Sequence, residues 1–156
     1  MGETKMKTYQ SFGALAKALI RVSERLPATL EVVAETSAEL VKEMAKAKIG
    51  HYQAEVGPFP AWPELTQETQ ADRVRQGFTP NDPLLRSGDL RDSIESTAAP
   101  DGFLVGSQSE IAVYQELGTE HIPPRPFLAP ALLESTPAIL NQLGAAIERT
   151  LAGEKP

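Results

Sequence analysis

"YQELGTEHIPPRPFLAP", residues 114–130, sets four prolines among the eight positions from Pro123 to Pro130. Proline holds φ at about −65° and offers no backbone N–H, so the stretch is too stiff for a flexible linker and unsuited to a helix interior or a central strand. It is either a rigid connector that sets one element against another or a recognition surface. Gly118 and Thr119 turn the chain, Ile122 to Pro126 forms an extended strut, and Phe127 with Leu128 plugs the core as the last helix begins. Arg125 is the only charged side chain inside the proline cluster. Its planar fork suits a bidentate contact, with Glu116 as a partner inside the subunit.

Beyond the strut, Phe127, Leu128, Ala131, Leu132, Ile139, Leu140, Leu143, Ile147 and Leu151 make a C-terminal helical stripe. Pro130 and Pro137 divide its early part, and Thr136 is placed to cap a fresh start. Before the strut, "SEIAVYQELG" (109–118) predicts a short helix capped by Ser109 and stopped by Gly118, a third strand being the alternative. "FLVGS" (103–107) is β-prone, "APDG" (99–102) is a turn, and the alternation from Leu90 to Thr97 supplies the first strand of a hairpin.

The N-terminal fifty residues predict a helical arm. Phe12, Leu15, Leu19, Val22 and Leu26 recur at helical spacing behind a capping Ser11, and Pro27 breaks the pattern as the first-turn residue of a second helix. The period resumes through Leu30, Val33, Leu40, Met44 and Ile49 and ends at Gly50. The stripe is narrow for its length, which leaves part of it for another subunit. Residues 51–88 differ: Pro58, Pro60, Pro63, Pro80 and Pro83 punctuate a long loop with one short helix from Pro63 to about Gln76. Phe59, Trp62 and Phe78 mark it as a segment that docks rather than a disordered one. The class is α+β: a helical arm, a small antiparallel sheet and a C-terminal helix packed on it, in a single domain over 1–156 (arm 1–50, loop 51–88, hairpin core with the C-terminal helix 89–156).

A chain of 156 residues with 41% hydrophobic and 23% charged residues can build one ordinary core. The absence of cysteine excludes disulfides, thiolate metal sites and a cysteine nucleophile. A net charge of −6 argues against a nucleic-acid binder, although an acidic wall would let DNA slide past without sticking. There is neither the pattern of a secretory signal nor an apolar run of the roughly 20 residues that a membrane span needs.

Chemistry-bearing patterns are sparse. His51 and His121 lack metal-ligand spacing. Phosphate loop, dinucleotide fingerprint and nucleophile elbow are all missing, and "VGSQS" (105–109) lacks the glycine that the elbow needs. The reading is a non-enzyme without cofactor or metal, against the alternative of a small hydrolase built on clustered carboxylates. Lys17, Arg21 and Arg25 form a basic stripe, read as a solvated face with contact to an acidic partner as the alternative. The charges from Asp72 to Asp92 alternate like a local salt-bridge lattice.

The order of segments carries a resemblance. An arm ending "AKIG" is followed by "WPELTQETQADRVRQG", "PLLRSGDLRDSI", a hairpin ending "LVGS", then "AVYQELGT" and "IPPRPFLAPAL". Over residues 40–135 this resembles the phage virion morphogenesis and tail-completion family, the head-to-tail joining proteins of long-tailed bacteriophages. The resemblance implies a structural protein of the virion neck, assembled in the bacterial host cytoplasm. It implies a homo-oligomeric ring beside neighbouring neck and tail proteins, with DNA passing through unbound and neither membrane nor small-molecule substrate. A tail terminator ring is the alternative within phages, and a non-phage intracellular interaction module the alternative outside them. Proline-fixed segments lose little entropy on docking and an aromatic in a polar loop is a common anchor. Trp62, Phe59, Arg86, Arg91, Glu116, Arg125 and Phe127 are therefore the candidate interface residues.

Overall fold

A computed structural model describes residues 7–99 and 101–153. The first six residues of the expected arm, and Pro100 within the expected turn at 99–102, lie outside them. The elements are α1 (Phe12–Lys48), α2 (Gln67–Arg75), α3 (Asp89–Asp92), β1 (Ile94–Ala99), β2 (Gly102–Ser107), α4 (Glu110–Leu117) and α5 (Leu128–Ala152). The class is α+β, with a long N-terminal helix, a two-stranded antiparallel sheet and a C-terminal helix packed on the first. No helix among the described residues is long and apolar enough to cross a membrane.

Helix α1 is the spine, and it is not broken at Pro27. It runs unbroken for 37 residues. Ser11 caps it by accepting from the Ala14 N–H at 3.1 Å. Proline removes one backbone bond, to the carbonyl four residues back, but packing of an apolar face outweighs local propensity in long helices. Thr29 and Val33 lie just beyond the proline, and the Thr29 hydroxyl meets that of Thr150 in α5 at 2.9 Å. The two helices run antiparallel, since Lys48 at the end of α1 pairs with Glu134 near the start of α5. Ala34, Ala38, Ala45, Ala131 and Ala146 are buried, and side chains this small let the helix axes approach closely. Gly50 ends α1 with φ +96° and donates to the Pro83 carbonyl at 2.8 Å.

Both strands lie on α1, in register Ile94↔Ser107 through Ala99↔Gly102. The strand expected from Leu90 begins only at Ile94. Gly88, at φ +97°, starts the one-turn helix α3, and the Ser93 hydroxyl donates to the Leu90 carbonyl at 2.7 Å. Leu90 and Ile94, four apart, are both buried. A spacing of four suits either structure. The core gathers Val41, Ala45, Ile49, Trp62, Leu90, Ile94, Ala112, Phe127 and Ala131 around the C-terminal half of α1.

α5 is also continuous. Pro130 sits where a helix needs no N–H, so it costs nothing. Pro137 lies inside the helix, and Thr136 caps no new start: its hydroxyl donates to the Leu132 carbonyl at 2.8 Å. Replacing the exposed Pro27 by Ala restores one backbone bond and should stabilise the protein by about 2 kcal/mol, after subtracting the entropy that proline removes from the unfolded chain. Urea midpoints of the two proteins measure it.

Candidate functional site

The proline strut is held from two sides. Upstream, α4 stops at Gly118, whose φ is +75°. A Cβ there would lie 2.9 Å from the Ile122 carbonyl oxygen and from Pro124, so only glycine fits. Thr119 completes the turn by accepting from the N–H groups of His121 and Ile122. The returning strut brings the Arg125 N–H to the Gln115 carbonyl at 2.7 Å.

Glu116 does not pair with Arg125. Its carboxylate accepts from the backbone N–H groups of Phe127 (2.7 Å), Leu128 (2.9 Å) and Ala129 (2.8 Å). With Pro130 next in line, every unsatisfied donor at the start of α5 is accounted for. A carboxylate is also the ion that the positive end of a helix dipole favours.

Arg125 turns instead to the loop. Its Nε and Nη2 donate to the Pro63 carbonyl at 3.1 and 2.8 Å, and Nη2 also reaches Glu64 O at 3.3 Å. Beside it the Trp62 indole donates to the Pro126 carbonyl at 3.1 Å. Thus the strut and the loop exchange hydrogen bonds, and Phe127 is sealed beneath them at 0% exposure. Arg73 repeats the device. It is buried, and its guanidinium donates to the carbonyls of Thr79, Asp82 and Leu85, closing the loop onto α2. Burial lowers the pKa of both arginines. For Arg73 the negative charge of Asp82 opposes that shift; for Arg125 only Tyr52 does.

Three candidate interface residues, Trp62, Arg125 and Phe127, are therefore internal: the contacts that bury them belong to this chain. Glu116 acts as a helix cap. Phe59 is half-buried and pairs its backbone with Val56. Arg86 and Arg91 stay at the surface. Arg86 bonds Asp72 at 3.0 Å with its guanidinium 5.3 Å from the centre of the Phe78 ring, and Arg91 meets Asp92 at 3.2 Å. The lattice expected over 72–92 is thus partly formed, with Arg73 withdrawn from it into the interior. In the basic stripe of α1, Arg25 reaches Gly153 O at 2.7 Å and so ties down the end of α5.

Two features of the surface have no counterpart in the sequence reading. Strut, loop and α3 enclose a cleft of about 480 Å³ lined by Arg73, Arg125, Gln115 and His121 among others. On the outer side of α4, Ile111, Val113, Tyr114 and Leu117 are 45–74% exposed while Ala112 faces the core. The sequence carries a signal for the second: an eight-residue helix with four large apolar residues and one buried alanine has more apolar surface than its own fold covers. Among the described residues, no three or more His, Cys, Asp or Glu side chains cluster as metal ligands would.

Comparison with protein-family models, with curated proteins and with solved structures finds no match to this chain.

Trp62→Ala should destabilise the isolated chain by about 3–5 kcal/mol, as for a core tryptophan. Glu116→Ala should cost about 2–3 kcal/mol, by stripping a charged acceptor from three helix-terminal donors. Denaturation midpoints of both variants check this. A loss below about 1 kcal/mol for Trp62→Ala would place that side chain outside the core.

Proposed function

We propose that this chain is a structural virion assembly protein at the head-proximal end of a phage tail, completing the tail and joining it to the head. The observation that carries the reading is that the segments behind the resemblance interlock. "WPELTQETQADRVRQG" and "IPPRPFLAPAL" exchange the Trp62–Pro126 and Arg125–Pro63 hydrogen bonds, and Arg73 of the first grips Leu85 of "PLLRSGDLRDSI".

The assembly part of the proposal draws support from the surface. The chain exposes 10767 Å², against roughly 7,700 Å² for a compact monomer of its mass. Large apolar side chains contribute: Phe12 is 91% exposed, Leu117 74% and Leu104 67%. Contiguous exposed apolar surface of the kind on α4 marks interaction sites. In this reading neighbouring copies meet through the α4 face and form a ring beside other neck and tail proteins, with DNA passing through the assembly.

Native mass spectrometry of the purified chain, alone and with tail proteins, should show a closed oligomer. A strict monomer in both settings overturns the assembly role. Ile111→Asp with Leu117→Lys places each charge at the helix end that favours it. The pair should alter stability by no more than about 1 kcal/mol while reducing the oligomer. Particles lacking the protein should accumulate as full heads and finished tails that do not join; normal joining without it sinks the phage reading.

A further inference from the structure

Arg73 and Arg125 are each 5% exposed, and neither forms an ion pair among the described residues. An arginine carries five N–H donors, two of them on Nη1. In both residues Nε and Nη2 are bound to backbone carbonyls, whereas Nη1 has no acceptor among the described residues. Both line the same cleft. A third group on its wall is unmatched in the opposite sense: Oε1 of Gln115 is buried and accepts no hydrogen bond. Carbonyl dipoles satisfy donors without neutralising charge, so two buried cations line a cavity of about 480 Å³ without a carboxylate in direct contact among the described residues, Asp82 acting on Arg73 only at longer range.

We propose that this cleft binds a carboxylate of an acidic peptide segment, held by Nη1 of Arg73 and Arg125, while a backbone N–H of the same segment donates to Oε1 of Gln115. A planar carboxylate matches guanidinium donors. The unmatched acceptor calls for a donor next to the anion, which a peptide supplies as a backbone N–H beside its carboxylate. Glu64 and Asp89 on the cleft wall, and the net charge of −6, disfavour a dianion or a polyanion more than a single carboxylate. The volume falls within the roughly 300–1,000 Å³ usual for ligand sites. The proposal concerns the cleft alone and stands whether or not the chain joins heads to tails.

The full chain is titrated with acetyl-Gly-Asp-Gly-amide, its Asn counterpart and inorganic phosphate, following Tm and the fluorescence of Trp62, the sole tryptophan, which adjoins the Pro63 carbonyl that binds Arg125. The Asp peptide should bind saturably and raise Tm. The Asn peptide should bind about tenfold more weakly or less, having lost its charge-assisted bonds. Phosphate should bind more weakly than the Asp peptide. Gln115→Glu supplies the carboxylate within the chain, so its Tm should hold or rise and its response to the Asp peptide should vanish. Equal binding of Asp and Asn peptides, no binding at millimolar concentration, tighter binding of phosphate, a lowered Tm for Gln115→Glu, or an unchanged peptide response in that variant each overturns the proposal.

Discussion

Three backbone N–H groups at the start of α5 converge on one carboxylate, and that convergence sets the geometry of the C-terminal half. Because Glu116 holds Phe127, Leu128 and Ala129, α4 is fixed against the beginning of α5, and the ten residues from Leu117 to Pro126 must close the gap between them. A chain closing so tight a loop loses conformational freedom, and the prolines reduce what there is to lose. Gly118 is needed at the loop's sharpest point and Thr119 satisfies the N–H groups that the turn exposes. Phe127 is then carried to the core by the same anchor.

The second consequence falls on the long loop. With the strut in place, the carbonyl of Pro126 and the guanidinium of Arg125 become a template for residues 62–64. A loop of nearly forty residues without much secondary structure is ordinarily uncommon in a small domain. Here three internal cross-links replace regular structure: the Trp62 indole, Arg125 and Arg73. Buried arginines bound to carbonyls act as multi-pronged staples for backbone that has no ladder of its own. The price is positive charge in the interior.

Legibility in the sequence followed the range of the forces. Helical periods in α1 and α5, the β-prone run at 103–107 and the stop at Gly118 are local signals, and each marks an element of the fold. Pro27 and Pro137 misdirect because a proline's local cost is visible in the sequence, whereas the packing of α1 on α5 that overrides it is not. Leu90 and Ile94 misdirect because one spacing fits two structures. Closeness in sequence pairs Arg125 with Glu116, but each group has a stronger claim elsewhere: a helix terminus for the carboxylate, bare carbonyls for the guanidinium. Trp62 seemed an anchor for a partner because nothing in a polar, proline-rich loop reveals that the loop folds back. The cleft was illegible altogether, since Arg73, Gln115 and Arg125 become neighbours only after these long-range choices are made.

Pro27 lies where the end of α5 leaves α1, between the Arg25–Gly153 and Thr29–Thr150 hydrogen bonds. The thirteen residues of α1 before Arg25, Phe12 to Glu24, run about 20 Å beyond it, braced near their base by Lys7, whose Nζ donates to the Ala152 carbonyl at 2.9 Å. The missing backbone bond therefore falls at the base of a cantilever. A rod weakened at its root yields there first, and each degree of flexure moves a tip at that distance by roughly a third of an ångström. The arm can thus take up small misfits as a compliant strut, while the packed half of the same helix stays rigid.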